Sequence, residues 1–236
     1  MTVHEAARVS HSRPSNDPWF LQGSQAKLAC GALLAEIDLE RPTRGLHNLH
    51  LSVQKVDGWL MGVNVVEDAG PEEPWQPTDA YTRGNDLVAT YREPLGQPFT
   101  LQVYWRVLPL KDRQSAALES IVSIQTREWE AHPHVTLSSA LAVDSAQLEY
   151  GGINFRSRHD WAYVEATPPG DFTPSACEST APNLHAAVWT YGNHFMERGV
   201  IRRLRLRGAI VPIAEGEDAV EQLRADLNAE PPPLTA

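Results

Sequence analysis

Phe99–Val107 reads FTLQVYWRV. Phe99, Leu101, Val103, Trp105 and Val107 alternate with Thr100, Gln102, Tyr104 and Arg106, the period of two that places one set of side chains in a core and the other towards solvent. This is the pattern of a half-buried β-strand. Immediately before it, EPLGQP (Glu93–Pro98) has two prolines and a glycine to reverse the chain, so Tyr81–Arg92 is expected as the partner strand.

The same rhythm continues in both directions. Leu33, Ala35, Ile37 and Leu39 share one parity, and RPTRG (Arg41–Gly45) supplies a turn before His47–Val53, which reads as a hairpin. Gly58–Val66 is apolar on both parities and is expected in the middle of a packed layer. Further short strands are expected at Leu118–Thr126, Val135–Val143, Gln147–Gly151, Trp161–Ala166, Leu184–Tyr191 and Val200–Val211. Two connections stand out: acidic, proline-rich EDAGPEEPWQPT (Glu67–Thr78), and TPPGDFTPSACESTAPN (Thr167–Asn183), read as a long irregular segment. Only at the end does the period change, with Val220, Leu223 and Leu227 at i, i+3 and i+7 behind Asp218 as a candidate cap. The expected fold is therefore all-β, a large antiparallel β-sandwich of supersandwich type, with one short C-terminal helix. Residues 1–18 read as a loose N-terminal arm, 19–230 as one sandwich domain and 231–236 as an extended tail.

Composition narrows the function. With 236 residues the chain can bury a substantial core, and no apolar run approaches the roughly 20 residues of a membrane-spanning helix. A formal charge of −10 argues against a general nucleic-acid binder, because phosphate neutralisation needs a basic surface. The first residues carry no apolar block of the kind a secretory signal needs, so a cytoplasmic location is expected. Two cysteines, Cys30 and Cys177, are too few for a thiolate zinc site, and whether they pair is left open. No GxSxG, HExxH or CxxC motif is present, Gly151–Asn154 lacks the context of a phosphate loop, and no cofactor is implied.

The densest polar chemistry lies in WTYGNHFMERGVIRRLRLR (Trp189–Arg207). Arg203, Arg205 and Arg207 share a strand face expected to look at water, whereas Arg202 shares the apolar parity and needs a carboxylate, with Glu197 across the turn as candidate. Trp189, Tyr191, His194, Glu197 and Arg202 form the candidate ligand site: aromatic faces stack on sugar C–H groups, and the polar groups bond hydroxyls. Glu197 and His194 are the candidate catalytic groups should the protein be an enzyme. His132 and His134 sit at alternate positions in AHPHV, but no nearby glutamate completes a metal set, so no metal is expected.

HFMERGVIRRLRLRGAIVP (His194–Pro212) resembles the turn and long closing strand of galactose-mutarotase-like supersandwich proteins. The whole chain, especially AYTRGNDLVATYREP and TLQVYWRV, is similar to uncharacterised bacterial proteins of about this length. The resemblance implies carbohydrate handling. Mutarotases pair a histidine acid with a glutamate base, and Leu184–Tyr191 carries no glutamate where that base is expected. The leading expectation is a carbohydrate-binding sandwich, with a sugar epimerase and a noncatalytic interaction module as alternatives.

Overall fold

The computed structural model describes residues 17–51, 53–65, 74–109, 116–181, 183–192 and 194–230, with side chains described for all of these but 175–181. Most of the expected N-terminal arm and all of the tail lie outside the described residues. The first five strands, β1 (Trp19–Gln22), β2 (Gln25–Cys30), β3 (Leu33–Asp38), β4 (His47–Leu51) and β5 (Gln54–Val56), form one sheet in chain order. The expected hairpin is β3–β4, turned by a short 3-10 segment at Pro42–Arg44.

β6 (Gly58–Asn64) leaves this sheet for another. There follow β7 (Pro77–Arg83), β8 (Asp86–Arg92), β9 (Phe99–Val107), β10 (Ala116–Thr126), β11 (Val135–Ala142), β12 (Ser145–Glu149), β13 (Gly152–Arg156) and β14 (Trp161–Ala166). Three strands close the set: β15 (Thr173–Ala181), β16 (Leu184–Tyr191) and β17 (Ile201–Pro212), before helix α1 (Gly216–Ala229). An eight-stranded sheet runs β12-β13-β14-β17-β10-β9-β8-β7, and a four-stranded sheet runs β15-β16-β11-β6. Every pairing is antiparallel. The chain is an all-β sandwich with one C-terminal helix.

One hydrophobic core joins the three sheets. The odd parity of β9 points into it, with Phe99, Leu101, Val103 and Trp105 buried. The other parity is less solvated than expected, because Tyr104 is buried on the outer face with Val88 and Ile121.

Two expectations about strands are corrected. β6 is not in the middle of its sheet but at its end, and its outer side is occupied by Leu46, whose N–H and C=O both bond Leu60 at 2.8 and 2.9 Å. Leu46 and Leu60 are both buried, which accounts for the apolarity of β6 on both parities. Thr167–Asn183 is not irregular throughout, since Thr173–Ala181 is an edge strand on β16. Its register breaks between Pro174 and Ala176, where a proline at an edge costs no ladder bond to a second neighbour.

Helix α1 buries Val220, Leu223 and Leu227 against Val164, Ala166 and Ala209, as the spacing implied. The N-cap position is Glu215 rather than Asp218, which lies in the first turn beside Glu217 and there favours the helix dipole. Beneath the helix the arginine face of β17 is covered. Arg205 and Arg207 are buried rather than solvent-facing, correcting the expectation, and each finds charge or carbonyl partners there. Arg207 donates to Glu119 at 3.0 Å and Glu230 at 2.6 Å, while Arg205 donates to the carbonyls of Leu227 and Glu230. The register extends this into a row across four strands, in which Asp86, Arg106, Glu119 and Arg207 are successive direct neighbours. Asp86 accepts both forks of Arg106, at 2.7 and 2.9 Å.

Candidate functional site

Trp129–His132, between β10 and β11, meets Phe195–Arg198, between β16 and β17. Ala131 and Met196 exchange both backbone hydrogen bonds, at 3.0 and 2.9 Å, and both side chains are buried as pegs. This one bridge aligns the flanking residues. Arg198 stacks over the Trp129 ring at 5.3 Å, and the His132 ring lies 5.9 Å from that of Phe195. Burying Met196 turns its neighbour Phe195 outward, and Trp129 and Phe195 stand 78% and 53% exposed. Glu130 accepts from or pairs with His132 at 3.1 Å, and Glu197 is exposed in the facing turn.

Behind this rim stands a second group. His194 stacks on Tyr191 with centroids 4.8 Å apart and planes 19° from parallel, and the Arg202 guanidinium lies 5.8 Å from the Tyr191 ring. Arg202 donates to the Gly170 carbonyl at 2.7 Å and reaches Asp171 at 3.4 Å, so Glu197 is not its partner. Asp171 in turn accepts the Arg205 backbone N–H at 2.9 Å. Burial pushes the Asp171 carboxyl up, opposed by that N–H and by Arg202 and Arg205, and burial also pushes the Tyr191 phenol up. The group can donate and accept hydrogen bonds through His194, Glu197, Arg198 and His132.

Trp189 does not belong to this surface. It is 0% exposed, because Ala187, Trp189 and Tyr191 share the inward parity of β16, and Trp189 therefore serves the core instead of a ligand. Tyr191 is likewise buried and acts as a support for His194. Of the five expected ligand residues, His194 and Glu197 stand exposed, and Arg202 is part-exposed behind them. Trp129 and Phe195 were missed. Trp129 lies in TREWEAHPH, a stretch without periodicity, and only its placement beside Arg198 marks it.

The indole of Trp189 leads to a fully buried carboxylate. Glu165 on β14 is 0% exposed and accepts from Trp189 Nε1 at 2.7 Å, from the Tyr163 hydroxyl at 2.9 Å and from Ser139 Oγ at 2.5 Å. Ser139 Oγ also accepts the Met61 N–H at 2.9 Å. Desolvation pushes the Glu165 carboxyl up, against the pull of its three donors. The cluster ties the eight-stranded sheet, through β14, to β6, β11 and β16 of the four-stranded sheet. Glu165 has no exposed surface, and its three donors hold it between the two sheets. Among the described residues no group of three or more His, Cys, Asp or Glu side chains is placed to hold a metal ion. Among the described residues no helix is long and apolar enough to cross a membrane. Cys30 is a buried free thiol whose Sγ faces the Ala117 carbonyl at 3.9 Å, and burial pushes it up.

The sequence matches no protein-family model and no curated protein. Among solved structures the chain is similar to the heparinase III BT4657 gene product, at 11% identity and a TM-score of 0.48, covering 85% of this chain and 36% of that one. It is similar to heparan sulfate lyase HepC from Pedobacter heparinus at 12% identity and a TM-score of 0.47, covering 80% and 33%. A third similarity, to HI1317, has 10% identity and a TM-score of 0.44, covering 79% of this chain and 92% of that chain. This chain thus matches about a third of the length of each of the first two. At these identities the likeness is one of fold alone.

Proposed function

We propose that this protein binds a saccharide at the rim formed by Trp129 and Phe195. The observation that carries the reading is the pair of large aromatic rings held out in water, on two segments aligned by the Ala131–Met196 bridge and flanked by charged and hydrogen-bonding side chains. An exposed indole presents an apolar face to the C–H face of a pyranose, while Arg198, His132, His194 and Glu197 supply donors and acceptors for hydroxyls. Arg198 already orders one side of the Trp129 ring, so the ring loses little freedom on binding.

The test is a glycan array probed with the full chain and with Trp129→Ala. Retention of a defined set of saccharides by the parent and its loss in the variant are expected. A folded parent that binds no saccharide, or a variant that binds the same set equally well, overturns the reading.

A further inference from the structure

An edge strand presents a row of unpaired backbone N–H and C=O groups, and proteins blunt such edges by shortness, bulges, proline or a cover. Here β1 and β5 are four and three residues long, β6 is covered by Leu46, β15 breaks register twice, and β12 lies against β15 and β16. The remaining edge is β7, at the end of the eight-stranded sheet. Its proline and its bulge both lie before Asp79, and from Asp79 to Arg83 it pairs with β8 without a break. Asp79, Thr82 and Arg83 are exposed. β1 lies against the turn that follows, with Trp19 Nε1 donating to the Asn85 carbonyl at 3.1 Å, yet it forms no ladder with β7.

The two-residue turn Gly84–Asn85 closes on the pair Arg83 and Asp86. Arg83, Tyr81 and Asp79 therefore turn their backbone groups towards β8, while Ala80 and Thr82 turn theirs away from the sheet. The side chains alternate as well. Tyr81 packs on the outer face against the cluster of Val88, Tyr104 and Ile121, and Asp79 and Arg83 share its parity, one on each side. Neither Asp79 nor Arg83 has an ion-pair partner among the described residues. Asp79–Arg83 is thus its own complement: turned end over end about Tyr81, its acidic end meets its basic end.

We infer that β7 docks onto the β7 of a second copy of this chain, antiparallel about a two-fold axis at Tyr81. Ala80 exchanges its N–H and C=O bonds with the partner's Thr82, and Thr82 with the partner's Ala80, which places a hydrogen-bonded pair on either side of the axis. Tyr81 meets its own counterpart, and each Asp79 faces the partner's Arg83. These pairs fall at the non-hydrogen-bonded positions, where side chains come closest, and aromatic and opposite-charge pairs are the units that stabilise such a ladder. One pair of short strands buries less than the about 1,600 Å² of a standard interface, so the dimer dissociates on dilution, in the micromolar range or above.

The experiment is sedimentation velocity of the full chain over a concentration series, with amide hydrogen exchange read at the two ends of that series. A reversible dimer is expected, with the Ala80 and Thr82 amides exchanging more slowly in the concentrated sample. Asp79→Lys sets like charges opposite each other at both symmetric contacts and is expected to weaken association by about tenfold or more, as is Arg83→Glu. Mixing the two variants restores both opposite-charge pairs, so a heterodimer is expected at concentrations where each alone is monomeric. Both substitutions lie at exposed positions, and unfolding midpoints near the parent's separate lost association from lost fold. Arg83 stands opposite Asp86, and should Arg83→Glu fail to fold, Asp79→Lys and the exchange data decide alone. A parent that stays monomeric throughout the series, a dimer that folded Asp79→Lys leaves intact, unchanged exchange at Ala80 and Thr82, or two folded variants that do not associate on mixing overturns the inference.

Discussion

The indole N–H of Trp189 donates to Glu165 Oε2 at 2.7 Å, joining β16 of one sheet to β14 of another through the centre of the core. A buried carboxylate with three donors is stabilised locally, yet removing its charge from water carries the larger opposing cost, which is why its proton is held more tightly than in the unfolded chain.

A dependence of stability on pH follows from that direction. With the folded-state value raised, the contribution of the protonated acid is fully present below the ordinary glutamate range and is lost as pH rises through the folded-state value. Glu165→Gln keeps the shape and cannot ionise. Its stability relative to the parent is therefore expected to increase from pH 4.5 to pH 7.5, as read from urea unfolding at both pH values. A difference that stays constant, or one that shrinks as pH rises, contradicts the raised value.

The charge row under α1 gives a second expectation. Arg207→Met leaves Glu119 buried with Arg205 at 3.9 Å as its nearest cation on β17, and such a broken buried pair costs about 3–5 kcal/mol. Replacing both members, Arg207→Met with Glu119→Leu, removes the stranded charge. The double variant is expected to unfold at higher urea than Arg207→Met alone. Equal midpoints would mean that Glu119 is not left uncompensated.

Gly208 supplies a third. A Cβ there would meet the Tyr163 hydroxyl and the Met61 methyl, the first of which is bonded to Glu165 and cannot retreat without loosening the cluster. Gly208→Ala is expected to destabilise by about 1–3 kcal/mol, the cost of overpacking a close-packed interior. Thermal unfolding checks this, and an unchanged midpoint would show that the sheets can part at no cost.

The two tryptophans separate fold from function. Trp129→Ala, at an exposed position, is expected to leave stability within about 0.5 kcal/mol of the parent. Trp189→Ala empties a fully buried site and strands a hydrogen-bonded carboxylate, so a loss of at least about 3–5 kcal/mol is expected. Denaturant unfolding of the two side by side checks the assignment; comparable losses would contradict it.

What could be read from residues alone was whatever alternates locally. Phe99–Val107, the β3–β4 hairpin and the Val220, Leu223 and Leu227 stripe are all set by periodicity, and the structure holds them as read. Trp189 was misplaced because parity says which residues share a face, but not which face is the core. The arginines of β17 were misread for a tertiary reason: α1 docks on them, and docking leaves no local trace. A sign was nonetheless there in Glu119 and Glu165, single carboxylates within the apolar strands ALESIV and WAYVEA, since a lone charge in such a run requires buried partners. Trp129 carried no comparable sign, because its contact with Arg198 depends on a bridge between segments 65 residues apart in the chain, from Ala131 to Met196.

The proposed saccharide rim turns on Trp129. Its most direct measurement is the quenching or shift of tryptophan fluorescence on saccharide titration, with a ligand chosen from the array, in the parent and in Trp129→Phe. A saturable change in the parent that disappears from the signal of Trp129→Phe, while the variant still binds more weakly by calorimetry, is the expected result. Saturable binding with the same affinity and the same fluorescence change in both proteins would place the ligand elsewhere and contradict the claim.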